Sequence, residues 1–272
     1  MAHRAAGQSA FLGKLLPATL GIAAGLPWAQ QPASAPPSFD VASVKALDQS
    51  WSEISPTRSG GRIQWSTNLL DLIGYAYRME PFRILGPVPG RESVYRFDAT
   101  TAATAGNDQV RAMFQSLLVD RFRMVAHRET RSADGFGLSV GKGGLKIREA
   151  KAGDPPAPLP EWLEVDPAEI DGKVITTSPG PGIFTIAGRR VSMAQFGAAL
   201  QRMLGMAVWD ETGLKGNYYF AFRFARENAP AETDDVAVST AIRETLGLRL
   251  EKHRGPVEML VVDRIERKPT EN

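Results

Sequence analysis

One order of segments occurs twice along this chain, and that limits the folds open to it. The first pass runs "GRIQW", "TNLLDLIGYAY", "YRFDATT", "DQVRAMFQSLLVD", "RFRMVAHR" and "FGLSVGK". The second runs "GIFTIAG", "SMAQFGAALQRML", "YYFAFRF", "DDVAVSTAIRETLG", "LRLEKHR" and "VEMLVVDRI". Ile63 and Trp65 precede Phe184 and Ile186 by 121 residues, and Val110 and Phe114 precede Val238 and Ile242 by 128. Loop insertions between two copies of one unit produce such a drift in offset.

Each copy reads strand, helix, strand, helix, strand, strand. The helices announce themselves by period. Val110, Met113, Phe114, Leu117 and Leu118 fall on one face at helical spacing, as do Met193, Phe196, Leu200 and Met203–Leu204. Ser192 is expected to cap the latter helix, Asn107 or Asp108 the former, and Asp234 or Asp235 its counterpart. Gly205 and Gly247 follow helical runs, where glycine closes a helix. The strands announce themselves by alternation: Phe220, Phe222 and Phe224 share one side of "YYFAFRF". Short extra strands fit "FRIL" (82–85) and "MAVW" (206–209). The expected class is α+β, in two repeated units, each with two helices packed on a small mixed or antiparallel sheet.

Between the copies, residues 149–182 hold seven prolines in 34 positions, including "DPPAPLP" and "SPGPG". Proline removes backbone donors and fixes φ, so this stretch is read as a linker, with "EWLEVDPAEIDGKVITT" packing locally inside it. The first unit is then 36–148 and the second 183–272. Residues 1–35 have Arg4 and Lys14 but no acidic residue, then the apolar run "LLPATLGIAAGL", then "PASA". That order is a secretory signal peptide, cut near Ala29 or Ala35. The run of 12 residues contains Pro17 and falls well short of the ~20 apolar residues that span a bilayer. The expected location is therefore outside the cytoplasm, periplasmic or extracellular, with no transmembrane segment in the mature chain.

Export alters the charge balance. Arg4 and Lys14 supply the whole excess of 32 basic over 30 acidic residues, so the mature chain is neutral. A neutral chain has no general pull on phosphate backbones, which argues against a nucleic-acid partner. Cysteine is absent, which removes disulfides, thiolate metal sites, cysteine nucleophiles and a lipid-anchor cysteine.

Little of the remaining chemistry forms a signature. No G-x-S-x-G elbow occurs, and "GFGLSVGKGG" lacks the order of a phosphate loop, so it reads as a strand and a tight turn. Asp71, Asp98, Asp120, Asp210, Glu211 and Asp263 show no paired acid–base spacing and read as caps, turn residues or ion-pair partners. Trp51, Trp65, Trp209, Tyr75, Tyr77, Tyr218 and Tyr219 divide between core packing, to which alternation already assigns several, and a binding groove. No catalytic residue, metal ligand or cofactor site is expected. After the signal leaves, only His127 and His253 remain, without metal-binding spacing. Placing Phe122 on Leu248, an offset of 126, superposes His127–Arg128 on His253–Arg254. A catalytic histidine is rarely needed in both copies of a repeat. His127, Arg128, His253 and Arg254 are therefore read as a surface that contacts a partner.

Taken as a set, "FDVASVK", "LLDLIGYAY", "YRFDATT", "LLVDRFRMVAHRETR", "RRVSMAQFGAALQRMLGMAVWDETGLKGNYYFAFRF" and "LGLRLEKHRGPVEMLVVDRIERKPTEN" resemble an exported soil-bacterial family expanded in acidobacteria. That family is labelled only as a domain of unknown function. The resemblance covers nearly all of residues 38–272 and departs from the usual motif at "SADGFGLSV". It implies export and the duplicated unit, and it brings no assigned catalytic residues. Some members join similar domains to membrane metallopeptidases of the antibiotic-sensor type, which implies extracytoplasmic sensing. Each half is more distantly similar to the short N-terminal domains of secretins and TonB-dependent receptors, which bind proteins by strand addition. The expected function is a non-enzymatic binding or sensing module for a protein, peptide or glycan of the envelope. The alternatives are an envelope hydrolase using carboxylates or His127, and a structural envelope component.

Overall fold

The computed structural model describes residues 36–48, 52–53, 55–151, 153, 158–225 and 236–270. The expected signal peptide, Trp51 and the expected caps Asp234 and Asp235 lie outside the described residues. In chain order the elements are β1 (Val41–Leu47), β2 (Thr57–Ser59), β3 (Arg62–Asn68), α1 (Leu69–Tyr77), β4 (Ile84–Leu85), β5 (Val94–Thr100), α2 (Asn107–Phe122) and β6 (Val125–Val140). They continue with β7 (Arg148–Ala150), β8 (Val174–Gly180), β9 (Ile183–Ser192), α3 (Met193–Leu204), β10 (Ala207–Asp210), β11 (Asn217–Ala225), α4 (Val238–Ala241) and β12 (Leu248–Arg264). The protein is mixed α+β and mostly strand, as the alternation led us to expect.

Local sequence explains the helices. Asn68 precedes α1, and its side chain accepts from Asp71 N at 2.9 Å. Ser192 and Gln195 form a reciprocal capping box at α3. Gly205 and Gly247 take left-handed φ values of 64° and 72° just past their helices. Helix α2 buries the expected stripe, Val110, Met113, Phe114, Leu117 and Leu118, and continues through Phe122. Two local expectations need correction. The N-cap of α2 is Gly106, and Asn107 lies inside the helix, with its Oδ1 accepting from Arg58 at 2.8 Å. "RFRMVAHR" is not a single strand: Arg121 and Phe122 end α2, Arg123 closes it at φ 51°, and β6 starts at Val125. Hydrophobic alternation there continues the helix stripe, because Phe122 follows Leu118 at four residues.

Three four-stranded sheets result. One has the order β1-β5-β3-β2, a second β7-β11-β9-β8, and the third β10-β6-β12-β4. Helices α1 and α2 pack on the first sheet, where Phe114 meets the rings of Phe39, Trp65, Tyr75 and Phe97 at 5.0–6.3 Å. Helices α3 and α4 pack on the second, where Phe196 meets Phe220 at 4.8 Å. Both cores extend onto the third, central sheet: Leu260 and Val262 enter one, Leu138 and Leu248 the other. Each such buried side chain contributes about 1.5–3 kcal/mol.

The proline-rich segment is more ordered than its composition suggests. Leu163 and Ile170 are buried against Ala187 on the outer face of the β7-β11-β9-β8 sheet. Val174–Gly180 forms its edge strand, and the register slips between Thr177 and Gly180, around Pro179. An edge tolerates proline because one side of the strand needs no donor. At the C-terminus, Glu266 N donates to Phe122 O at 2.7 Å and Thr270 N to Arg121 O at 2.8 Å, so the tail returns to α2. Among the described residues no helix is long and apolar enough to cross a membrane.

Candidate binding surface on the central sheet

Strands β6 and β12 pair antiparallel from Leu248 opposite Val140 to Arg264 opposite Val125. The short strands β10 and β4 flank them in parallel, Ala207 beside Gly135 and Leu260 beside Ile84. Successive side chains leave a strand on opposite faces. Ala126, Leu138, Leu248, Leu260 and Val262 therefore share the face that enters the two cores. His127, Glu129, Arg131, Gly135, Gly137, His253, Gly255, Val257 and Met259 share the other. The apolar centre of this second face, Ala207, Val257 and Met259, is closed by Phe82, Leu85, Ala133 and Trp209.

Trp209 is seated by glycines. A Cβ on Gly135 would stand 2.3 Å from Ala207 O and 2.7 Å from Trp209 Cζ3, and one on Gly255 3.1 Å from Trp209 Cζ2. A Cβ on Gly137 would stand 2.6 Å from Glu211 Oε2. Glycine inside a strand marks such a close approach. Across the indole lies His253, with ring centroids 4.8 Å apart at 56°. His253 Nδ1 is 3.3 Å from Glu211 Oε1. An aromatic ring, an imidazole and a carboxylate are thus grouped at the rim of this face, where His253 and Glu211 are part exposed. The "GFG" run of β6 was the available sequence signal for this seat, but its partner strand is remote in sequence.

His127 stands between two acids. Its Nδ1 is 2.9 Å from Asp263 Oδ2 and its Nε2 3.9 Å from Glu129 Oε2, with the side chain 51% exposed. The two histidines do not meet. His253 pairs with Gly135, eight residues along β6 from His127, a separation of about 26 Å at strand rise. Nor do they occupy one place after their helices: His127 is four residues past the cap Arg123 and His253 six past Gly247. Arg128 and Arg254 project from the opposite face, between the two cores. Arg128 pairs with Glu258 and donates to Tyr77 O at 3.3 Å. Arg254 Nε donates to Ser132 Oγ at 3.2 Å and its Nη1 lies 3.6 Å from Asp134.

The other candidate side chains have local roles. Asp71 braces the Asn68 cap at 2.7 Å, and Asp210 accepts from Thr212 N at 3.0 Å in a turn. Burial pushes the Asp98 carboxyl up, but hydrogen bonds from Gln64 and Arg96 outweigh it and hold the group below its ordinary value. Asp120 offers its backbone carbonyl to Thr270 Oγ1 at 3.3 Å. Trp65, Tyr218 and Tyr219 are buried, and Tyr75 packs edge-on against Trp65 at 5.1 Å. Among the described residues no three His, Asp or Glu side chains converge to hold a metal ion.

Several concave spaces lie off the central face. A cleft of about 570 Å³ gathers Glu53, Asp71, Glu80, Arg91 and Arg111 beside α1. There burial raises the Glu80 carboxyl, opposed by Arg202 and Arg83. A pocket of about 360 Å³ joins the Gly141–Gly144 turn to Arg243 and Arg249. A groove of about 390 Å³ runs between Phe39–Ser43 and α2, and a cavity of about 430 Å³ lies beneath the proline-rich segment.

The chain matches no curated protein and no solved structure. A family model, described as "Protein of unknown function (DUF3738)", matches residues 70–265. That span runs from the start of α1 to just past β12, so it takes in the central sheet, the β7-β11-β9-β8 sheet, the glycine-seated Trp209 and both histidines but only β5 of the first sheet, and the chain belongs to this family.

Proposed function

We propose that this protein is an exported binding module, built by internal duplication, whose central-sheet face, at the rim around Trp209, takes a protein, peptide or glycan of the cell envelope. The observation that carries the reading is the seat of Trp209. Two glycines, Gly135 of β6 and Gly255 of β12, make room for one indole, and a third, Gly137, makes room for Glu211 at its rim beside His253. A ring held against backbone, with polar groups beside it, is the usual composition of a recognition site.

Equivalent positions support the duplication. The caps Asn68 and Ser192 stand 124 residues apart, and so do the caps Arg123 and Gly247. The parallel pair Ile84–Leu260 answers the pair Val208–Phe136, again at 124. Each half lends its short strand to the long strand of the other. The basic leader with its apolar run and "PASA" supports export.

Two measurements test this. Fractionation and N-terminal sequencing should find the chain outside the cytoplasm and starting after Ala29 or Ala35; an intact N-terminus in the cytoplasm rejects export. Immobilised protein should retain one class of envelope material, glycan or protein, and Trp209→Ala should lose it. Equal retention by the variant rejects this face as the site.

A second reading has its own observation. His127, half exposed and 2.9 Å from Asp263, has the carboxylate–imidazole arrangement of a general base. This favours an envelope hydrolase. Turnover of an envelope substrate that survives His127→Ala unchanged removes that reading.

A further inference from the structure

Away from the central sheet, the molecule buries an arginine whose guanidinium is incompletely satisfied. Arg189 is 5% exposed, and its Nε has no hydrogen-bond acceptor. It lines the cavity of about 430 Å³ together with Asp166, Pro167, Asp171, Arg190 and Tyr219. The acids there are already engaged. Arg190 Nε donates to Asp171 Oδ1 at 2.6 Å, and Arg190 Nη2 takes Oδ2. Asp166 Oδ1 accepts from Ala168 N at 2.8 Å.

The placement of Arg189 is firm. It sits within β9, and its carbonyl accepts from Gly172 N at 2.8 Å. The next residue, Arg190, is at φ 50°, where the pairing of β9 with β11 shifts register beside Tyr219. This bulge sends Arg190 to the exposed fork on Asp171 and leaves Arg189 beneath the proline-rich segment, beside buried Ile170. Bulges re-aim side chains in this way. A buried guanidinium with an unmet donor is costly, and such a donor calls for an acceptor from water, an ion or a ligand.

We propose that this cavity binds the carboxylate of a small organic molecule, paired with Arg189. A guanidinium and a carboxylate match as planar, bidentate partners. Asp171, its carboxylate already forked by Arg190, lies within electrostatic reach of Arg189 but leaves the Arg189 Nε open, and Asp166 and Asp171 together disfavour a doubly charged phosphate against a single carboxylate. Pro167 and Ala168 offer a short apolar wall to the ligand's body. The site is independent of the central face, and neither reading depends on the other.

The test uses the full mature chain with propionate, the dipeptide Ala-Ala and inorganic phosphate as probes. Propionate or Ala-Ala should raise the thermal midpoint and shift the Arg189 Nε–Hε resonance, with phosphate at least tenfold weaker. The tighter of the two carboxylates tells a free acid from a peptide end. Arg189→Met should fold with a ligand-free midpoint equal to or above that of the parent, since it removes an incompletely satisfied buried charge. It should bind propionate at least tenfold more weakly. No response to either carboxylate, a stronger response to phosphate, or an undiminished response in Arg189→Met overturns the proposal. Should the variant fail to fold, the Arg189 resonance of the parent chain decides.

Discussion

A methyl group on Gly135 would stand 2.7 Å from Cζ3 of Trp209, so the indole lies where only glycine leaves room. The same methyl would meet Ala207 O at 2.3 Å, and backbone cannot move aside as a flexible side chain can. Gly135→Ala should therefore cost about 1–3 kcal/mol and loosen β10 from β6. Urea unfolding gives the stability, and tryptophan emission reports the displaced ring. Gly143→Ala, where nothing lies within 4 Å, should stay within about 0.5 kcal/mol of the parent.

Phe114 is fully buried and touches four other aromatic rings. Phe114→Ala should cost about 3–5 kcal/mol, read as a fall in the urea midpoint at unchanged slope.

Asp98 ties its acid behaviour to the pairing of β3 with β5. Its folded carboxyl is held below its ordinary value, so the unfolded chain binds its proton more readily than the folded one. The contribution is present above the unfolded value and is lost as pH falls through the folded one. Stability measured from pH 5 down to pH 2 should decline less steeply in Asp98→Asn than in the parent. Parallel curves would remove Asp98 from the acid response.

His127 and His253 each have their own acid, Asp263 and Glu211, and stand on one face far apart. Distant sites add. The double variant His127→Ala, His253→Ala should lose the sum of the two single losses within about 0.5 kcal/mol. Effects on partner binding are expected from His253→Ala, beside Trp209, ahead of His127→Ala.

Local rules carried much of the fold into the sequence. The stripe from Val110 to Leu118, the Ser192–Gln195 box and the glycines at 205 and 247 act within one or two turns of a helix, and each is legible as written. The alternation of "YYFAFRF" likewise identifies β11. The boundary at Phe122 was misjudged because a helix stripe and a strand alternation share residues over so short a stretch. The site residues were legible as residue types but not as a group.

What the chain determines by itself is most of its helices and strands and the absence of thiol chemistry. What only tertiary structure decides is which strands meet. β4 reaches β12 across 176 residues, and β10 reaches β6 across 72, because each short strand completes the other half's edge. Those pairings set which face of β6 enters the cores, bring Glu211 to His253 and lay Trp209 on Gly135. Pairing between remote strands is chosen by the burial of whole faces, a property of the assembled sheet that no local window of residues contains.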